Sequence, residues 1–366
     1  MKKILISLIG FVLVMSCTKD NPSEILTLPS KLVVKTIISE DGTGQVSVVA
    51  TAEKANFFTI YFGENVTLPG VVSADGKASY TYASTGTYTV RVQAHVTQSE
   101  FISDVSSVYV ISTSVDGILI PASGTTSPLA YTGKSLVWQD EFDGSALNTS
   151  NWKHELGAGG WGNNELQFYR QENTKVAKGY LIITAKEEAF QGSKYTSSRI
   201  ISSGLREFKY GRIDIRAALP KGQGIWPAAW MLGANINTVP WPACGEIDIM
   251  EMIGGNGREN EVFGTAHWAN ASNVRELFSG KTKLGTGTFA DSFHIFSIEW
   301  NSTSITWYLD NVQYHRIDTT PANLSEFQNP FFFIFNIAVG GDLPGSPNTT
   351  TTFPQNFIVD YVRVFQ

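Results

Sequence analysis

Short runs of alternating polar and apolar residues dominate this chain of 366 residues. Gly-Arg-Ile-Asp-Ile-Arg at 211–216 and Phe-Ser-Ile-Glu-Trp at 296–300 are two examples. Gly, Asn, Asp, Ser and Thr separate the runs, and few long segments have a helical period. Because side chains of a β-strand alternate between two faces, the pattern predicts an all-β protein. The chain is long enough to bury a sizeable core and to form more than one domain.

Most of these runs lie between residues 133 and 366. Asp310-Asn311 separates two of them, as expected for a tight β-hairpin, and apolar runs at 331–339 and 357–365 close the chain. Many antiparallel strands in one segment predict a two-sheet sandwich of the jelly-roll type.

A first, smaller unit is predicted at 31–113. Its segment 80–90, Tyr-Thr-Tyr-Ala-Ser-Thr-Gly-Thr-Tyr-Thr-Val, resembles the last strands of PKD and related immunoglobulin-like modules. Its length suits a small β-sandwich. We interpret it as a spacer, and carbohydrate binding through Tyr and Phe rings is the alternative. Residues 114–132 have the Ser, Thr, Gly and Pro composition of a linker.

The N-terminus has the features of an export signal. Lys2 and Lys3 precede a short apolar stretch, and Cys17 follows it in Val-Met-Ser-Cys, which resembles a bacterial lipobox. We therefore predict a signal peptide at 1–17, a lipidated Cys17 and a tether at 18–30. The protein would then be an exported lipoprotein at the cell surface, outer membrane or periplasm, held to the membrane by its lipid. A plain signal peptide with an incidental cysteine is the alternative.

The net charge and the cysteine count limit the kinds of binding partner and disulfide that we expect. The net charge is −6 and no basic stripe is present, which argues against a nucleic-acid partner. The chain has two cysteines, so lipidation of Cys17 would leave Cys244 without an intramolecular disulfide partner. We expect a monomer that is stabilised by core burial.

The run Glu-Ile-Asp-Ile-Met-Glu at 246–251 carries the strongest chemical signal. In a flat strand Glu246 and Asp248 share one face, while Glu251 falls on the apolar face with the isoleucines. A buried unpaired carboxylate is costly, and one β-bulge near Met250 would return Glu251 to the face of the other two acids. The sequence therefore predicts three carboxylates in a row on one strand face.

Three clustered carboxylates suit glycoside hydrolysis, which uses one carboxylate as nucleophile and one carboxylic acid as general acid/base. Asp248, between the two glutamates, can hydrogen-bond the nucleophile, and crowding raises the proton affinity of the acid. A solvated acidic strand face or a calcium site is the alternative. Aromatic residues upstream and downstream of the run favour the carbohydrate interpretation.

The acidic run matches the bulged E-x-D-x-x-E signature and resembles that of glycoside hydrolase family 16. The resemblance covers nearly all of 133–366. It includes Trp-Gln-Asp-Glu-Phe at 138–142, Gly-Trp-Gly-Asn-Asn-Glu-Leu-Gln at 160–167, Tyr-Thr-Ser-Ser-Arg-Ile at 195–200, Trp-Pro-Ala-Ala-Trp at 226–230, Gly-Thr-Ala-His-Trp at 264–268 and Val-Asp-Tyr-Val-Arg-Val at 359–364. It implies Glu246 as nucleophile, Glu251 as acid/base and Asp248 as the assisting residue.

Within that family, the motifs at 160–167 and 226–230 look most like those of laminarinases, the endo-1,3-β-glucanases. The resemblance implies substrate-binding residues that stack on glucose rings or hydrogen-bond sugar hydroxyls: Trp226, Trp230, Trp241, Asn164, Glu165, Arg199 and His267. We expect His267 on the leaving-group side, beside the acid/base. For each Trp the alternative is core packing, and for Asn164 and Glu165 it is hydrogen bonding within the loop.

The expected activity is retaining hydrolysis of internal 1,3-β bonds in β-glucan, with no cofactor in catalysis. The alternatives are the same mechanism on mixed-linkage β-glucan or on a galactan such as agarose, and a non-catalytic glycan-binding protein. Family resemblance also implies a structural calcium, held by backbone oxygens of Glu141 and Gly179 and the side chain of Asp360. An ordinary surface hydrogen bond is the alternative role of Asp360.

Overall fold

A computed structural model describes residues 27–39, 42–64, 68–82, 84–112 and 114–366. The predicted signal peptide, Cys17 and most of the tether lie outside these residues. The chain divides into two units; their described residues fall in 27–37, 47–80 and 87–108 for the first, and in 38–46, 81–86 and 109–366 for the second. Within the described ranges, no helix is long and apolar enough to cross a membrane.

The N-terminal region forms two sheets, with strand orders β1-β2-β5 and β4-β3-β6-β7, and β3 is antiparallel to both β4 and β6. Its strands are β1 (Ser30–Ile38), β2 (Gln45–Glu53), β3 (Phe57–Tyr61), β4 (Val71–Ser73), β5 (Lys77–Thr81), β6 (Gly86–His95) and β7 (Phe101–Val110). Val46, Ile60 and Val92 are among the residues that alternate into its core. Two small sheets with a buried apolar core are consistent with the small β-sandwich that the sequence predicts.

The second unit is a large two-sheet sandwich, which confirms the all-β jelly-roll prediction. Its first strands are β8 (Ala130–Tyr131), β9 (Lys134–Asp140), β10 (Lys153–Glu155), β11 (Gln167–Tyr169), β12 (Thr174–Ala177), β13 (Tyr180–Phe190), β14 (Ser193–Ser197), β15 (Arg199–Ile201), β16 (Glu207–Phe208) and β17 (Gly211–Ala218). The remaining strands are β18 (Ile225–Gly233), β19 (Glu246–Glu251), β20 (Glu261–Ala269), β21 (Arg275–Lys283), β22 (His294–Trp300), β23 (Ser304–Leu309), β24 (Val312–Asp318), β25 (Phe331–Val339) and β26 (Gln355–Phe365). Two short 3₁₀ helices span Gln171–Asn173 and Ala322–Gln328.

One sheet has the order β10-β15-β25-β18-β19-β20-β21 and carries the acidic strand near its centre. The opposite sheet has the order β11-β14-β13-β26-β17-β22-β23-β24. The core between them includes Phe333 and Phe335 of β25, Ile247 of β19, Ile215 of β17 and Val362 of β26, all buried. This core holds the acidic strand from one side and leaves its other side for the site.

The segment 114–132 departs from a free linker. Val115 and Ile120 are buried in a small apolar cluster that also contains Ile182 and Phe293 of the second unit. Ser127 donates a hydrogen bond to the hydroxyl of Tyr361, at 2.9 Å. Linker-like composition did not prevent packing here, because apolar residues are interspersed among the Ser, Thr and Gly residues.

The sheet opposite the acidic strand contains a buried ion pair. Asp214 on β17 is fully buried and accepts hydrogen bonds from Arg212 Nε (2.8 Å), Tyr131 OH (2.6 Å) and Ser297 Oγ (2.7 Å). The Arg212 guanidinium lies over the rings of Tyr131 and Tyr308. This carboxylate therefore has a complete set of donors and a cation beside it.

Candidate active site

A cleft of about 750 Å³ opens on the acidic side of the sandwich. Its lining runs from Arg199 on β15, across Asn336 on β25 and Trp230 on β18, to β19, Thr265 on β20 and Leu277 on β21. These strands are consecutive neighbours in the sheet, so the cleft crosses the strands and is open to an extended ligand. Such a volume is typical of ligand sites.

The register around β19 confirms the predicted bulge. Against β18, Ala229 pairs with Met250 while Trp230 pairs with Asp248, so Ile249 has no opposite residue. The pairing with β20 also shifts between Asp248 and Glu251. Ile249 and Met250 are both buried in the core, as expected where a bulge holds two successive residues on one face. The bulge thus includes Ile249 as well as Met250 and brings Glu251 into the cleft.

Donors from neighbouring side chains orient the carboxylates. Trp241 Nε1 donates to Glu246 Oε2 at 2.9 Å, and Trp226 Nε1 donates to Glu251 Oε1 at 3.1 Å. His267 Nε2 lies 3.1 Å from Asp248 Oδ2 and 3.5 Å from Glu246 Oε1. Each catalytic candidate therefore has a fixed neighbour.

His267 lies beside Glu246, the proposed nucleophile, and Asp248, the assisting residue. We expected it beside the acid/base Glu251, and this expectation was wrong. The reason is register, because Glu246 and His267 are directly opposite each other on β19 and β20. His267 Nδ1 is buried and has no hydrogen-bond partner among the described residues. A proton on Nε2 gives Asp248 a donor and leaves no buried N–H unpaired, so this tautomer fits the surroundings best.

Burial and crowding favour protonated carboxyl groups in this cleft. Burial, reinforced by the charge of Asp248, raises the pKa of Glu246 from its ordinary 4.5 to about 8. Burial and the charge of Glu251 raise the pKa of Asp248 well above its ordinary value, and burial raises the pKa of Glu251. The cluster therefore retains protons near neutral pH, while the electrostatic effect of His267 and the hydrogen bond from Trp241 lower the pKa of Glu246 and favour its ionised form.

The three predicted tryptophans have different surroundings in the cleft. Trp226 is almost fully buried and Trp230 is half-buried, with its Nε1 donating to Asn336 Oδ1 at 2.8 Å. Trp241 is 42% exposed and offers the largest free aromatic surface of the three. Trp226 and Trp241 hold the glutamates through their N–H groups, and stacking of their rings on sugars stays a prediction.

The two loop residues predicted to bind sugar make mainly internal hydrogen bonds. Glu165 lines the cleft, but its carboxylate accepts hydrogen bonds from Asn163, Gln167 and Tyr169, at 2.7 to 3.0 Å. Asn164 is not among the cleft-lining residues; its Nδ2 donates to Asp342 Oδ1 at 2.8 Å. The loop alternative describes Glu165, whereas Asn164 bonds a different loop, through Asp342, which itself lines the cleft.

Arg199 lies in the cleft as predicted. Its guanidinium is 4.9 Å from the ring centres of both Trp161 and Trp230, and its Nε donates to Glu155. Held between two indoles, the guanidinium is fixed in position with several N–H groups, which suits hydrogen bonding to sugar hydroxyls.

Residues 162–363 match the family described as "Glycosyl hydrolases family 16". The chain belongs to this family. It is 40% identical over 245 residues to a β-glucanase of Rhodothermus marinus, a match that covers 63% of this chain and 85% of the relative. The catalytic domain of a laminarinase from Thermotoga maritima is 44% identical with a TM-score of 0.59, covering 64% of this chain and 98% of that domain.

The clotting factor G alpha subunit of Tachypleus tridentatus is also 40% identical, over 235 residues. The match covers 63% of this chain, which spans about a third (34%) of that longer relative. Membership of the family makes the second unit a glycoside hydrolase.

Some cleft residues of this family 16 enzyme were absent from the sequence-based site. Asn336 is the polar residue within the apolar run of β25, a signal that could have identified it. Trp161 belongs to a motif that the sequence analysis recognised, but its contact with Arg199 depends on the fold. Arg275 and Asp342 line the cleft from an edge strand and a loop, without a distinctive motif.

The residues predicted to bind calcium lie on the other sheet. Glu141 follows β9, Gly179 lies in the turn between β12 and β13, and Asp360 lies on β26. Their oxygens are ligands of the kind that calcium prefers. Two arginines compensate the side-chain charges, since Arg363 forms a two-bond pair with Glu141 and Arg216 Nη1 donates to Asp360 Oδ2 at 2.7 Å. The side chain of Asp360 therefore already has a cation as partner, and calcium binding stays a prediction.

Proposed function

We propose that the second unit hydrolyses internal 1,3-β-glucosidic bonds of laminarin-type β-glucans with retention of configuration. The observation that carries this proposal is the bulged strand, which turns Glu246, Asp248 and Glu251 into one cleft. The cleft crosses several strands, as an enzyme that cuts within a polymer requires. The relatives named laminarinase and β-glucanase support the substrate class.

In the proposed reaction, Glu251 protonates the glycosidic oxygen while the carboxylate of Glu246 attacks the anomeric carbon. The bond to the leaving sugar breaks and a glycosyl ester with Glu246 forms. Glu251, now ionised, takes a proton from water, and that water attacks the anomeric carbon and releases Glu246. Two inversions give net retention, and Glu251 regains its proton for the next cycle.

Asp248 and His267 have supporting roles in this scheme. Asp248 lies between the two glutamates and is shielded from solvent, with only 3% of its surface exposed. In the reacting state the proton has to lie on Asp248 and be donated to Glu246, because the attacking carboxylate is ionised. His267 holds Asp248 and Glu246 from β20, so the geometry is set before substrate arrives.

Product analysis tests the substrate and the linkage. Incubation with laminarin, lichenan and agarose, followed by chromatography of early products, should give a ladder of oligosaccharides from laminarin. NMR of the first products should show the β-anomer before mutarotation. Cleavage of agarose or lichenan with laminarin untouched would overturn the linkage proposal, and first products in the α-form would overturn retention.

Substrates with different leaving groups test the two glutamate roles. Glu251→Gln should retain rapid formation of the glycosyl-enzyme from an aryl β-glycoside, because a nitrophenolate leaves without protonation. Glu246→Gln should lose this burst as well. A burst of nitrophenolate from Glu246→Gln but not from Glu251→Gln would reverse the assignment.

We also propose that Cys17 carries a lipid anchor and that the first unit is a PKD or immunoglobulin-like spacer. The lipobox-like sequence and the two small sheets support these proposals. Metabolic labelling with a tritiated fatty acid should mark the wild type and not Cys17→Ser. Equal labelling of both would contradict the anchor at Cys17.

Calcium is proposed as a structural ion, with no part in catalysis. If Glu141, Gly179 and Asp360 hold it, EDTA should lower the unfolding temperature of the wild type and added calcium should restore it. An Asp360→Asn variant should respond less. An unfolding temperature that is insensitive to both additions would refute the site.

A further inference from the structure

Trp307 reaches the acidic strand from the core side of the second unit. It lies on β23, in the sheet opposite the cleft, and its side chain is fully buried. Its Nε1 donates a hydrogen bond to the backbone carbonyl of Asp248 at 2.8 Å. Trp307 is not among the cleft-lining residues, so any effect that it has on the reaction passes through the acidic strand.

The carbonyl that accepts this bond lies where the bulge of β19 begins. Asp248 is the last residue before Glu251 that pairs with β20, and the pairing with β18 also shifts directly after Asp248. A bulge disrupts the ladder of hydrogen bonds between strands at the residues where it occurs. A donor from outside the sheet can therefore fix the backbone at this point, and the Trp307 indole supplies one.

Gly264 on β20 makes room for the indole. It lies between the two residues of β20 that pair with Asp248 and Glu251, and it is therefore opposite the bulge. A Cβ at Gly264 would lie 2.3 Å from Trp307 Cδ1, so a side chain there would displace the indole. The space that Gly264 leaves empty is thus the space through which Trp307 reaches the strand.

A second buried tryptophan of the same sheet makes a comparable bond away from the cleft. Trp300 on β22 is buried, and its Nε1 donates to the backbone carbonyl of Phe327 at 3.0 Å. Phe327 lies in the second 3₁₀ helix and does not line the cleft. An indole N–H is a donor only and normally finds an acceptor when it is buried. Both tryptophans meet this requirement, and Trp307 is the one that meets it on the acidic strand.

We propose that Trp307 is a positioning residue, whose N–H holds the bulge in the form that directs Glu251 into the cleft. This inference rests on the proposed function, in which Glu251 is the acid/base. A buried carbonyl that loses its donor is costly, so without this bond the strand would relax towards regular pairing. Regular pairing turns Glu251 towards the core face and away from the glycosidic oxygen, and proton transfer requires hydrogen-bond distance.

An isosteric replacement in the full-length protein tests the N–H group alone. Amber suppression places 3-benzothienylalanine at position 307, which keeps the ring shape of tryptophan and has sulfur in place of the N–H group. The kcat on laminarin should fall about tenfold because the acid is displaced, while KM should change by less than about twofold. Trp307→Phe should show a similar loss of kcat together with a lower unfolding temperature, because it also loses ring volume.

The matched control is 3-benzothienylalanine at position 300, which removes the same N–H group from a carbonyl outside the cleft and should keep the wild-type kcat. An aryl β-glycoside adds a second readout, because its nitrophenolate leaves without a proton from Glu251. The burst of nitrophenolate should therefore fall less than kcat on laminarin in the variant at position 307. Equal losses of kcat at positions 300 and 307, wild-type kcat at position 307, or a burst that falls as much as kcat would overturn the role of Trp307.

Hydrogen exchange separates this inference from the proposed function. Backbone amides of 246–252 should exchange about fivefold faster or more in the variant at position 307, and at the wild-type rate in the variant at position 300. If the wild type leaves laminarin intact but this difference is observed, the 1,3-glucanase assignment fails and the role of Trp307 in holding the bulge stands. Unchanged exchange at 246–252, with laminarin cleaved by the wild type, refutes the role of Trp307 alone.

Discussion

Two buried acidic regions of the second unit differ in what surrounds their carboxylates. On β17, Asp214 has an arginine, a tyrosine and a serine as donors, all within 2.8 Å. On β19, Asp248 is almost equally buried but lies between two glutamates, with His267 at 3.1 Å. In the first region, hydrogen-bond donors and an arginine compensate the negative charge of Asp214. In the second, the neighbouring glutamates oppose a negative charge on Asp248.

This difference distinguishes a carboxylate with a structural role from one that takes part in the proposed reaction. A buried charge with an oppositely charged partner and a full set of hydrogen bonds is compensated within the fold. A buried charge beside like charges has a raised pKa and exchanges protons near neutral pH. The acidic strand therefore costs stability, and the core beneath β19 has to compensate for that cost.

Replacing the nucleophile should have the largest effect. Glu246→Gln keeps the volume and the contact with Trp241 but cannot form a stable ester, so hydrolysis of laminarin should fall at least about 1,000-fold. Initial rates of reducing-sugar release measure this loss. The control is Glu299→Gln, a carboxylate on the opposite sheet paired with Lys134, which should retain wild-type rates. A fall of less than tenfold in Glu246→Gln would contradict the mechanism.

Breaking the structural pair should affect stability and leave the chemistry intact. Asp214→Asn removes the charge opposite Arg212 and should lower the free energy of unfolding by roughly 3–5 kcal/mol. Urea denaturation measures it, and kcat per folded molecule should not change. The double variant Arg212→Met/Asp214→Leu should recover much of the stability. A specific loss of kcat in Asp214→Asn would show that the two regions are coupled.

The acidic strand should make stability depend on pH in the opposite sense from an ordinary ion pair. The pKa of Glu246 is about 8 in the folded protein and 4.5 ordinarily, so the folded state holds the extra proton between these values. Stability of the wild type should therefore fall as pH rises from about 4.5 to 8. Glu246→Gln lacks this contribution.

The advantage of Glu246→Gln over the wild type should grow across that pH range, by as much as a few kcal/mol, and level off above it. Urea denaturation at a series of pH values gives the difference. A constant difference from pH 4 to 9 would show that Glu246 ionises normally in the folded state.

Removing the histidine should have the smallest effect of the four. His267→Gln should lower kcat by about tenfold, since a hydrogen bond to charged groups contributes ~1.5–3 kcal/mol, of which glutamine replaces part. The proximity of His267 lowers the pKa of Glu246, so its loss should move the acidic limb of the kcat/KM profile to higher pH. A fall in kcat without a shift of that limb would indicate a structural role only.

The acidic strand could be predicted from the sequence because the residues that determine its conformation are neighbours in the chain. Alternation in 246–251 placed two acids on one face, and the cost of burying Glu251 required a bulge. Family motifs added Arg199 and the three tryptophans, which all line the cleft. The all-β class followed from the period of two in the apolar runs.

Other features depend on which residues the fold brings together. His267 contacts Glu246 because of the register between β19 and β20, and period alone does not fix register. Glu165 is directed into a network with Gln167 and Tyr169, which a motif match cannot distinguish from sugar binding. The concavity lined by Lys221, Asn256 and Asn348 joins three loops that are far apart in the chain.

By itself, the sequence determined the strand period, the bulged acidic run and the family, because each is encoded within a few neighbouring residues. Only the tertiary structure decided which carboxylate each donor holds, where Asn164 and Glu165 are directed, and how 114–132 packs. Those outcomes depend on non-local strand pairing and on burial, and the local pattern carries little information on either. The acidic run thus specified the chemistry, and the fold specified its surroundings.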